Sequence, residues 1–137
     1  MTATETRLTE SQEAVVFGTT GKAPTALALD SVGNIYTANS GDNTVTRITP
    51  SGVSTLFGST GNKPMGIKVD ASGNVYTSNY LDSTVTKVTA AGVSATLAAT
   101  GTHPLGLALD PAGNVYTANE GSDTVTKITP GGTASTF

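Results

Sequence analysis

Short apolar runs with a period of two, each closed by a polar turn, fill the chain from residue 21 onward. Between 105 and 109, Leu107 and Leu109 fall on one side of an extended backbone, with Gly106 and Ala108 between them. Runs over 114–119 and 124–129 follow, and then a weaker one over 133–137. The first two are joined through Asp110, Pro111, Ala112, Gly113 and Asn114. In such a link Asp accepts backbone N–H groups across the turn and Gly takes the left-handed conformation of a bulged hairpin. Residues 39–43 and their counterparts, and the Pro-Gly and Ser-Gly steps at 50–52 and 130–132, supply further turn chemistry. Tight links without a helical period predict a four-stranded antiparallel meander.

The meander is written three times, in register every 40 residues: Gly21, Gly61 and Gly101 open the copies, and Pro24, Pro64 and Pro104 follow. Asp30, Asp70 and Asp110 precede the Gly-Asn step, and Tyr36, Tyr76 and Tyr116 precede Thr. Asn39, Asn79 and Asn119 come next, and a Thr-Val-Thr run at 44–46, 84–86 and 124–126 closes the pattern. A fixed period in this range marks stacked units, none of which buries its apolar face alone.

Composition narrows the class. The chain has 137 residues, one domain's worth, and only 12% are charged. Thr, Gly and Val suit pleated strands and turns. The absence of Cys excludes disulfides and thiolate zinc sites. A net charge of −3 argues against nucleic acid as a partner, which needs clustered Lys or Arg. No apolar run approaches the ~20 residues of a membrane helix, so no membrane partner is expected. Residues 1–12 have no signal-peptide core and read as a polar mobile tail, which leaves the compartment open.

The pattern Pro-x-Gly-[Ile/Leu]-x-[Val/Leu]-Asp-x-x-Gly-Asn-[Val/Ile]-Tyr-Thr-x-Asn, followed by Thr-Val-Thr-[Lys/Arg]-[Ile/Val]-Thr, resembles that of NHL-repeat β-propellers, especially bacterial ones. The resemblance covers residues 13–137 and implies blades at 21–60, 61–100 and 101–137. Such propellers usually close with six blades, and their relatives include streptogramin-lyase-like and gluconolactonase-like enzymes beside pure binding platforms. Three blades make half a ring, with an open blade face at each end. The expected fold is therefore an all-β propeller of four-stranded blades, three per chain, completed to six as a homodimer. Residues 14–21 match 54–61, so 13–20 is expected as an outer strand closing a neighbouring blade, with Val15, Val16 and Phe17 as its apolar side chains. A truncated or engineered propeller piece, active only in assembly, is the bland alternative.

Repeated polar residues read as structural: the three Asp as turn caps, the three Asn as strand-end hydrogen bonders, and the three Tyr as packing between blades. Residues that break the repeat are better candidates for a ligand. Propeller connectivity groups the links between blades with the second-to-third strand links, which brings together Lys63, Tyr80, His103 and Glu120. Lys68 stands where Ala28 and Ala108 stand in the other copies, on the innermost strand, and is expected to line a central channel with an anion or water. By the resemblance, streptogramin-lyase-like enzymes use His and Glu on this face with a divalent ion. One His103 and one Glu120 per chain are too few for a tight metal site, and a solvated loop histidine is the plainer reading. The first positions of the inner strands, Thr25, Met65 and Leu105, are no ligands for a hard cation, which argues against the lactonase class.

These residues predict a non-enzymatic, self-assembling scaffold that binds a protein or small molecule at the channel mouth, with no catalytic residue, metal or cofactor. A metal-assisted lyase or lactonase is the enzymatic alternative.

Overall fold

A computed structural model describes residues 14–137; the expected tail over 1–12, and Glu13, lie outside the described residues. The first blade comprises β1 (Pro24–Leu29), β2 (Ile35–Asn39), β3 (Thr44–Ile48) and β4 (Ser54–Ser59). The second comprises β5 (Pro64–Val69), β6 (Val75–Asn79), β7 (Thr84–Val88) and β8 (Ser94–Ala99). The third comprises β9 (Pro104–Leu109), β10 (Val115–Asn119), β11 (Thr124–Ile128) and β12 (Ala134–Thr136). Each blade is one antiparallel sheet with strands in chain order, as the meander predicts. Among the described residues no helix is long and apolar enough to cross a membrane.

The hairpins form for the reasons the sequence gives. In the first, the Asp30 carboxylate accepts the Val32 and Asn34 amides, the Asn34 side chain and the Tyr36 hydroxyl, while Gly33 takes φ 91°. The same cap recurs at Asp70 and Asp110. At the other end of each blade the buried amide of Asn39, Asn79 or Asn119 is fully used. The Asn79 Oδ1 accepts the Thr77 hydroxyl at 3.1 Å, and its Nδ2 donates to Thr84 at 3.0 Å and Thr86 at 2.8 Å. Buried polar groups paired this way fix strand ends without a desolvation cost.

The core lies between blades rather than within them. Tyr36, Ala38 and Val45, on the trailing face of the first blade, pack on Ile67, Val75 and Val88 of the second. Tyr76 and Val85 pack in turn on Leu107, Val115 and Ile128 of the third. The two joints are built from the same repeat positions, so the chain contains two copies of one interface.

Residues 14–20 lie outside the three sheets. They are paired with no strand of this chain. They nevertheless hold the place of an outer strand against the first blade: Thr19 N donates to Ser54 Oγ at 3.0 Å, as Ser59 N does to Ser94 Oγ at 3.1 Å.

Candidate functional site

The links entering each blade and the loops between its second and third strands form one rim. Within each blade the two segments are clasped by backbone bonds: Ser40 N donates to Ala23 O, Tyr80 N to Lys63 O, and Glu120 N to His103 O. Ala23, Lys63 and His103 all take left-handed backbone, at φ 48°, 60° and 55°. The loop residues Asn43, Ser83 and Asp123 do the same. Such conformations are uncommon outside Gly and persist where surrounding structure holds them.

Among the described residues, the joint between the second and third blades carries the aromatic and charged side-chain cluster of this rim. Tyr80 stacks on His103, with ring centroids 4.4 Å apart and planes 8° from parallel. Its hydroxyl donates to Glu120 Oε2 at 3.1 Å, and Lys63 Nζ lies 5.2 Å from its ring centroid. The bond to Glu120, burial and the Glu120 charge raise the Tyr80 hydroxyl above its ordinary value, so it stays a donor at neutral pH. The imidazole rests against Gly121, where a Cβ would come within 2.7 Å of Nδ1; a side chain at 121 would push the ring off Tyr80.

Four of the five expected ligand residues, Lys63, Tyr80, His103 and Glu120, therefore meet. Lys68 does not join them. It is exposed near the far end of β5, directly opposite Tyr76 in the ladder, and roughly 16 Å of extended strand separates it from Lys63. The pairing of Tyr80 with His103 is not visible in the sequence, because the two belong to different repeats; both are marked only as departures from the pattern.

A divalent ion does not fit this donor set within one chain. Among the described residues no three His, Cys, Asp or Glu side chains form a group that could hold a metal. Glu120 is engaged with Tyr80, and His103 is held by stacking. Asp30, Asp70 and Asp110 are each spent on their own turns, with carboxyls held below the ordinary value. The one hydroxyl of the cluster, that of Tyr80, is bonded to the Glu120 carboxylate. The rim thus gathers a phenol ring, an imidazole, an ammonium and a carboxylate at one joint.

A second feature, not among the expected ligand residues, is the trailing face of the third blade, a shallow apolar depression lined by Leu105, Ala118, Val125 and Phe137.

No protein-family model matches the chain, and no curated protein matches its sequence. Solved structures do match. A streptogramin B lyase structure superposes with TM-score 0.71 at 18% identity, covering 81% of this chain and 39% of that one. A catalytically inactive variant of virginiamycin B lyase from Staphylococcus aureus, with quinupristin, gives TM-score 0.75 at 18% identity, covering 85% and 41%. Hydrazine synthase of Kuenenia stuttgartiensis gives 0.73 at 20%, covering 88% and 36%. The chain thus spans about two fifths of the length of these structures. At these identities the likeness is one of fold, and the chain is three consecutive four-stranded blades of a β-propeller.

Proposed function

We propose that the chain is a self-complementary half of an NHL-type β-propeller, a scaffold without catalysis of its own. It closes by pairing with a second copy and presents the Lys63, Tyr80, His103 and Glu120 rim as a binding surface. The observation that carries this reading is burial compared across repeats. Leu27, on the leading face of the first blade, is 65% exposed, while its counterparts Ile67 and Leu107 are 4% and 8%. Val125, on the trailing face of the third blade, is 43% exposed, while Val45 and Val85 are 0%. The two open faces are the two halves of the interface already formed twice inside the chain. A second copy related by a twofold axis covers both at once and leaves no open face. Burial at the ~25 cal/mol per Å2 of apolar surface favours such closure over two bare faces. Light scattering or sedimentation at micromolar concentration is expected to give twice 13.7 kDa; a folded species at 13.7 kDa overturns the reading.

A second reading has one observation in its favour: Tyr80 gathers His103 and Glu120 into a single cluster on a fold shared with lyases. A metal-assisted lyase or lactonase built this way needs donors from both copies. A rise in melting temperature with zinc or magnesium, abolished by His103→Ala, would favour it. An unchanged melting temperature favours the scaffold.

A further inference from the structure

Residues 14–20 occupy an outer-strand position that belongs to none of the three described blades. The Phe17 carbonyl reaches Gly52, where a built Cβ would meet it at 2.7 Å. Phe57 O stands in the same relation to Gly92, and Leu97 O to Gly132. Gly21 N donates to the Thr46 hydroxyl as Gly61 N does to Thr86 and Gly101 N to Thr126. The segment is thus seated on the first blade as β4 is on the second and β8 on the third.

At the other end of the chain the same position is only partly filled. β12 has three residues where β4 and β8 have six, and Phe137 continues it by exchanging bonds with Val125. In complete blades the link beyond the strand adds a further bond, from Thr60 N to Asn43 O and from Thr100 N to Ser83 O. The Asp123 carbonyl, their counterpart, meets no such donor among the described residues. If a second copy docks its first blade on this third blade, its residues 14–17 and this chain's residues 134–137 are assigned one place. Both cannot stay.

Resting on the assembly proposed above, we propose that residues 14–20 of one copy form the outer strand of the other copy's third blade and displace β12. Side-chain burial is not what favours the exchange. Leu56, the counterpart of Val16, remains 73% exposed inside a complete blade. Reach favours it. The segment runs three residues past Phe17, which supplies ladder positions opposite Val125 and Thr124 and places the Thr20 amide at the Asp123 carbonyl. It is also continuous with the first blade, so one docking event seats blade face and strand together.

The register gives the test, and the chain has no cysteine to interfere. Lys127 faces Ser135 in β12, whereas Arg47 faces Thr55, the counterpart of Val15. Residues directly opposite on neighbouring strands lie within disulfide reach. Under mild oxidation, a Val15→Cys, Lys127→Cys chain is expected to become a covalent dimer, while a Lys127→Cys, Ser135→Cys chain keeps free thiols. Val15 and Ser135 are exposed and Lys127 is half-buried, and hydrogen exchange on the unmodified chain gives an independent readout. Exchange predicts a protected Thr20 amide and a freely exchanging Phe137 amide. A within-chain disulfide at 127 and 135, or a protected Phe137 amide, in a species of dimer mass overturns the exchange and leaves the ring. A monomeric mass for the unmodified chain overturns both.

Discussion

Tyr80 lies flat against His103 across the joint between the second and third blades, 4.4 Å from centroid to centroid. The pair joins a loop of one repeat to the link of the next, with Glu120 and Lys63 around it. As a solvated loop residue His103 would be neutral to replacement. As a stacking partner it is not. His103→Ala is expected to destabilise by about 1 kcal/mol, with a coupling to Tyr80→Ala of about 0.5–1.5 kcal/mol in a double-mutant cycle. Additive effects in urea unfolding would show that the stack carries no stability.

The buried amide of Asn79 ties together the hydroxyls of Thr77, Thr84 and Thr86 at the end of the middle blade, and Thr86 also accepts from Gly61 N. Asn79→Ala removes the partner of the buried Thr77 and Thr86 hydroxyls and of half-buried Thr84, and about 2–3 kcal/mol of stability is expected to be lost. Asn79→Asp is expected to do worse, since it removes both donated bonds and buries a charge. Thermal unfolding of the two variants checks the order.

Asp70 and Tyr76 set opposite ends of the pH range. Burial pushes the Asp70 carboxyl up, but bonds from the Asn74 side chain and amide, the Tyr76 hydroxyl and the Ser72 amide outweigh it and hold the group below 3.8. Its contribution is therefore full above about pH 4 and is lost as pH falls through the folded-state value. The difference in urea midpoint between the unmodified chain and Asp70→Asn should be constant from about pH 7 to 5 and narrow below about pH 4.

Burial, the Asp70 charge and the bond to it raise the Tyr76 hydroxyl from 10.0 to about 12. That contribution is full below about pH 10 and is lost as pH rises through about 12. Of the four tyrosines, Tyr76 is expected to ionise last in an ultraviolet titration. Tyr76→Phe should remove the late step; its persistence would assign it elsewhere.

Leu27 and Val125 sit on open faces, where a charge disturbs nothing inside one chain. Leu27→Lys and Val125→Lys are expected to give folded monomers, and Val85→Lys, at the same repeat position inside a formed joint, an unstable chain. A Val125→Lys chain that keeps the dimer mass would place the contact elsewhere.

The strands, hairpins and blade repeat were legible in the sequence because each rests on short-range causes. Alternation sets the faces, Asp30 and Gly33 close a turn among their own neighbours, and Asn39 bonds to threonines at most seven residues away. The grouping of Lys63, Tyr80, His103 and Glu120 on one rim followed from connectivity alone. The stacking did not, because Tyr80 and His103 meet only when two separate sheets pack. Tertiary structure also decided what is buried. Val45, Val85 and Val125 occupy the same Thr-Val-Thr run, yet the first two are sealed and the third is open. The difference comes from the blade that follows, since in a stacked repeat burial belongs to the neighbour rather than to the residue.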